Sequence, residues 1–236
     1  MGYGSTKSNQ YLESFRLFLK IRNTDDSRLT YKVHMWSMNI GRSWDKKCVE
    51  IANNLDFMNI IDGPFSIQHK LKVIKEFMFN NDKTEWFNNL YDDRNEPNGN
   101  KLRTFRMYKN NLETDFYVKN VFNRQHRRIL SNFRSGCLPL AIETGRYTKP
   151  KVPLNQRTCT YCKNNCIEDE MHFLLSCNFY SDLRFLLSEK AYQIFNEYYD
   201  MDLRDRFIFL MTNETIQPFL AKILYRMFYR RKYCIL

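Results

Sequence analysis

Between residues 159 and 177 the chain runs Cys159-Thr-Tyr-Cys162, then reaches His172 after nine residues and Cys177 after four more. Two cysteines separated by two residues make a compact chelating turn. Three thiolates and one imidazole complete a tetrahedral set suited to one structural zinc ion. Four protein donors leave no open position for a reactive water, so the pattern predicts a folded recognition module rather than metal catalysis. An ion bound there would supply on the order of 10 kcal/mol to folding so small a segment. The expected zinc knuckle covers 155–180, with Cys159, Cys162, His172 and Cys177 as ligands. Cys166 could replace Cys162 or His172, but the chosen four keep the usual turn and the His-to-Cys spacing.

Seven cysteines without a secretory leader favour reduced thiols over a disulfide framework. Cys48, Cys137 and Cys234 lie far from the cluster in sequence and are expected as small buried apolar residues. The longest wholly apolar runs, such as Phe207 to Met211, fall far below the roughly 20 residues that span a bilayer. No membrane partner and no small-molecule substrate are expected, and the location is expected to be intracellular, nucleus or cytoplasm.

The net charge of +11 is unevenly placed. Residues 1–100 carry 14 Lys/Arg against 13 Asp/Glu, residues 101–157 carry 13 against 3, and residues 158–236 carry 10 of each. The excess therefore forms a belt directly before the knuckle, and a localised belt points to a polyanion, RNA or DNA. Arg124, Arg127 and Arg128 share a helix face, Arg134 follows, and Arg146, Tyr147, Lys149, Lys151 and Arg157 fall in a segment broken by Gly145, Pro150 and Pro153. Extended cations can track phosphates while the tyrosine ring stacks on a base. Lys222, Arg226 and Arg230 form a second stripe beside Tyr225 and Tyr229, which the helix dipole explains equally well.

Apolar spacing of three and four predicts a mainly α chain, a helical array with one small Cys3His zinc knuckle. Leu12, Phe15 and Leu19 mark one helix, and Leu29, Val33, Trp36 and Ile40 a second. Ser43 would cap Trp44 to Leu55, and Pro64 with Ser66 would open a helix through Met78. The expected organisation is a helical segment over 1–92, a linker at 93–100, and basic helices, knuckle and C-terminal helices over 101–236. Helix is expected from Leu102 through Phe116, on the stripe Phe122, His126, Ile129, Leu130 and Phe133, from Phe179 to Tyr198, over Phe207 to Met211, and from Ile216 to Arg231. His126 reads as a core histidine; His34 and His69 have no partner at a telling sequence distance. Glu168, Asp169 and Glu170 suit the first turn of a short helix bearing His172, which must unwind before Cys177.

The stretches Lys101-Leu-Arg-Thr-Phe-Arg, His126-Arg-Arg, Leu140-Ala-Ile-Glu-Thr-Gly-Arg-Tyr147, Arg157-Thr-Cys-Thr-Tyr-Cys162 and Glu168-Asp-Glu-Met-His-Phe-Leu-Leu-Ser-Cys177 together resemble the C-terminal region of non-LTR retrotransposon reverse transcriptases. The resemblance covers roughly residues 101–185, with a weaker likeness from Tyr31 to Asp62 to the segment after the polymerase core. It implies a zinc-binding tail that helps hold template RNA or target DNA, with the same four ligands. No palm carboxylate hairpin and no endonuclease constellation is legible, since Tyr91-Asp92-Asp93 lacks the intervening residue. The chain is therefore expected to be non-catalytic, a detached tail that binds nucleic acid and partners a polymerase core. The alternatives are a zinc-stabilised protein-interaction module and a retroelement remnant without function.

Overall fold

The computed structural model describes residues 5–40, 44–92, 101–162 and 164–233. The chain is 67% helical and no strand occurs among the described residues, so the fold is mainly α. Two compact units divide it, Gly2–Asn88 and Asn89–Leu236. The cap expected at Ser43, the linker at 93–100 and Cys234 lie outside the described residues.

The N-terminal unit holds α1 (Thr6–Arg22), α2 (Leu29–Ile40), α3 (Trp44–Asn54), α4 (Met58–Asp62) and most of α5 (Ile67–Leu90). Ser5 caps α1 by accepting from the Ser8 N–H, and Lys20 and Arg22 occupy its last turn, where the dipole favours cations. Ser66 opens α5, its hydroxyl accepting from the His69 N–H at 3.3 Å. Phe15, Phe18 and Leu19 meet Cys48, Ala52, Phe57, Ile61, Ile74 and Met78 in one core. Two expectations are corrected here. The stripe Leu29, Val33, Trp36 and Ile40 faces outward, with Leu29 75% exposed, and α2 buries His34 instead. His34 does have a partner: its Nδ1 lies 3.1 Å from the Asp45 carboxylate, both buried. Periodicity locates a helix without saying which face another helix covers.

The C-terminal unit holds α6 (Tyr117–Asn120), α7 (Arg124–Arg134), α8 (Ala141–Thr144), α9 (Ser181–Ile194), α10 (Leu203–Thr212) and α11 (Gln217–Tyr233). α11 is its central element and packs against α6, α7, α9 and α10. Leu220, Ile223, Leu224 and Met227 of α11 are fully buried with Leu130 and Phe133 of α7, Leu183 and Leu187 of α9, and Phe207 and Leu210 of α10. Asn123 caps α7 by accepting from the Gln125 and His126 N–H groups, and Asp202 caps α10 by accepting from the Asp205 N–H.

The helix expected from Leu102 through Phe116 does not form; a short 3-10 turn at Phe105–Met107 and irregular turns stand there. The run Lys109-Asn-Asn-Leu-Glu-Thr-Asp115 is rich in residues whose side chains compete for the backbone. Lys109 donates to the Glu113 carbonyl and to the Asp115 carboxylate, tying the run into a loop. Within the α7 stripe, Phe122 is 87% exposed, ahead of the cap, while Leu130 and Phe133 are buried. Cys137 is exposed rather than buried.

Candidate metal centre and basic surface

Two local structures bring the knuckle together. The first is a hairpin closed by an antiparallel bridge between Thr158 and Ile167. The Cys159 N–H donates to the Cys166 carbonyl and the Glu168 N–H to the Arg157 carbonyl, both at 2.9 Å. Asn165 takes a left-handed φ of 51° in its turn, a conformation asparagine tolerates better than most residues. This hairpin presents Cys159 and Cys162.

The second is the segment after Glu170. Asp169 caps it, its carboxylate accepting from the His172 N–H at 2.7 Å. From His172 to Ser176 the turn widens to a π-helix, and the Cys177 N–H donates to the His172 carbonyl at 2.8 Å. Five residues along an α-helix would set two side chains about 140° apart. The wider i→i+5 turn brings Cys177 round to the side of His172. The unwinding that the spacing demands is thus a widened turn.

Cys159, Cys162, His172 and Cys177 place one ligand atom each within 4.8 Å of one another, a group able to hold a metal ion. The Cys159 and Cys177 sulfurs are 3.8 Å apart, and the Cys162 sulfur is 3.4 Å from His172 Nε2. A tetrahedron with metal–sulfur arms of about 2.3 Å has an edge of about 3.8 Å, so these pairs already stand at ligand spacing. Cys166 stands outside the group: it is exposed, its sulfur 3.4 Å from the Asn164 carbonyl. Burial pushes the Cys159 thiol up and the Cys177 thiol up to about 12, and pushes His172 down. Sulfurs and ring are thus desolvated together, a costly arrangement for thiolates that lack a cation between them.

Charged residues that spacing alone does not reveal surround the group. Glu168, 1% exposed, is not a first-turn helix acid. Its carboxylate accepts from the Ala141 N–H at 2.7 Å, pairs with Arg231 of α11, and lies 3.6 Å from the Cys159 sulfur. Arg231 also donates to the Pro139 carbonyl and lies over the Tyr161 ring at 4.5 Å. Glu170 is equally buried and takes both its contacts, 2.8 and 2.9 Å, from Arg103. Arg184 donates to the Cys177 carbonyl at 2.7 Å. The only sequence signal for these partners is a pair of carboxylates flanking an apolar knuckle, each of which needs a cation if it is buried.

The basic belt divides in two. Arg134, 3% exposed, lies between the Tyr108 and Tyr117 rings at 4.6 and 5.1 Å and donates to the Met211 carbonyl. Arg146 is buried against Glu143 at 3.0 Å. Arg157 is buried too, donating to the Val152 and Ile142 carbonyls. Its stem lies where a side chain on Gly145 would stand, a Cβ there falling 2.8 Å from Arg157 Cγ. These three arginines are turned into the fold, where they donate to buried carbonyls or stand against a buried carboxylate. Arg124, Arg128, Lys149, Lys151 and Tyr147 are exposed. Arg127 is half-buried and donates to the Val121 carbonyl, and Tyr147 lies under Lys101 at 5.3 Å. Arg124 and Arg128 form no ion pair among the described residues.

No family model, no curated protein and no solved structure matches this chain. Its chemistry is therefore read from the site. No helix among the described residues is long and apolar enough to cross a membrane.

Proposed function

We propose that the chain is a non-catalytic nucleic-acid-binding tail of the kind that follows the polymerase in non-LTR retrotransposon reverse transcriptases. In this reading Cys159, Cys162, His172 and Cys177 hold one structural zinc ion. The observation that carries it is the closed donor set, four protein ligand atoms within 4.8 Å, together with exposed cations on α7 and in the 149–151 loop of the same unit. Zinc suits three sulfurs and one nitrogen in tetrahedral array, and once bound it supplies cross-linking energy to the hairpin and the widened turn. Four filled positions give no place for a metal-bound water, which supports a structural role. Arg124, Arg128, Lys149 and Lys151 hold phosphates without choosing sequence, since backbone contacts carry no base information.

A protein-interaction module is the second reading, supported by the outward stripe of Leu29, Val33, Trp36 and Ile40, because contiguous exposed apolar side chains mark docking faces. One experiment tests both. Elemental analysis of the purified full chain should give one zinc per molecule, and chelation should expose 155–180 to protease. The same preparation should bind single- or double-stranded oligonucleotides at low salt. Protein without zinc, or with no affinity for nucleic acid at low salt, would overturn the leading reading and favour the second.

A further inference from the structure

α11 sets a tyrosine every four residues along one edge: Tyr225, Tyr229 and Tyr233. Their ring centroids are 6.2 and 4.3 Å apart, tilted by 33° and 40°, and His126 of α7 continues the row 5.1 Å from Tyr225. The core does not need this row, since α11 buries Leu220, Ile223, Leu224 and Met227 on its other side. Tyr229 and Tyr233 keep 52% and 59% of their surface open. A groove runs along each flank of the tyrosines. One of about 390 Å³ is walled by Arg128 and Lys232, the other of about 490 Å³ by Arg226 and Arg230. Among the described residues, neither groove is lined by a carboxylate. Arg230 is held by Asp182 at 2.6 Å, whereas Arg128, Arg226 and the exposed Lys222 form no ion pair among the described residues.

We propose that this row is a stacking platform for the unpaired bases of a single-stranded nucleic acid, with Arg128 on one side and Lys222 and Arg226 on the other holding its phosphates. The inference rests on the nucleic-acid reading above and narrows it to one strand type. Aromatic faces interleaved with cations bind single strands because every base has a stacking face. The ring spacings of 6.2 and 4.3 Å both exceed the roughly 3.4 Å between stacked nucleotides of a duplex strand, so the row fits bases that have come apart. A duplex keeps its base faces inside and can offer this surface only phosphates.

The test measures binding of the full, metal-loaded chain to labelled oligo(dT) and oligo(U) of roughly 16 nucleotides, to a duplex of equal length, and to an abasic strand. The single strands should bind more tightly than the duplex or the abasic strand. Tyr229→Ala with Tyr233→Ala should weaken them by about five-fold or more and leave the duplex unchanged, while Tyr229→Phe with Tyr233→Phe should keep wild-type affinity. Equal affinity for all four probes, untouched by the alanine pair, overturns the platform and leaves phosphate binding standing. No affinity for any probe removes the nucleic-acid reading itself and the platform with it.

Discussion

Glu168 stands 3.6 Å from the Cys159 sulfur and is almost wholly buried, so its carboxylate needs a cation wherever the fold can supply one. Arg231, sixty-three residues away, supplies it through both terminal guanidinium nitrogens. A divalent ion with three thiolates would leave a further negative charge beside this acid, which makes the arginine more necessary. Arg231→Ala is expected to cost about 3–5 kcal/mol, because it strands a buried carboxylate, and to weaken metal retention along with the fold. Thermal unfolding of the loaded chain checks this, and adding Glu168→Gln should recover part of the loss by removing the stranded charge. A wild-type melting point for Arg231→Ala would show that the pair contributes nothing. The sequence names Glu168 as acidic and Arg231 as a helix-terminal cation, and neither fact pairs them.

At the scale of elements, the end of α7 fixes where the belt turns. Gly136 takes a φ of 64° directly after the helix, its N–H donating to the Phe133 carbonyl while the Cys137 N–H donates to that of Asn132. That is a Schellman ending, which needs a left-handed residue. A Cβ on Gly136 would come within 2.2 Å of the Lys101 carbonyl oxygen. Gly136→Ala should therefore destabilise the chain by more than about 1–2 kcal/mol, the left-handed cost alone, as read by chemical denaturation. From the last residue of α7 onward, Arg134, Arg146 and Arg157 of the expected strip turn inward. Helical spacing reports which residues share a face, and α7 and α11 sit close to their expected spans. The failures are instructive in the same terms: Leu102 to Phe116 holds apolar residues at helical intervals, yet its asparagines and acids hydrogen-bond locally and win. Likewise α2 displays a full apolar stripe and buries its histidine.

For the whole molecule, the sequence count of 37 Lys and Arg overstates the cations a partner can meet, because Arg134, Arg146 and Lys109 are buried against carboxylates and Arg157 against backbone carbonyls. Charge reversal separates the two classes. Arg124→Glu with Arg128→Glu should leave folding intact and lower the salt slope of nucleic-acid binding by about 2, roughly one per lost phosphate contact. Arg157→Glu should instead unfold the 142–168 region, since it replaces a buried cationic donor to two carbonyls with an anion that can only accept. Binding titrations from low to high salt, read with far-UV circular dichroism, check both. An unchanged slope in the first variant would remove α7 from the interface.

The sequence by itself determined the helical class and the four side chains of the Cys3His group, because both are written in short-range spacing: intervals of three and four for a helix, two and four intervening residues for the chelating turns. Only the tertiary structure decided which cations face outward, which carboxylates the knuckle buries, and that His126 joins three tyrosines of α11 in one row. Those outcomes depend on groups far apart in the chain competing for the same buried donors and acceptors, and no local pattern records who wins.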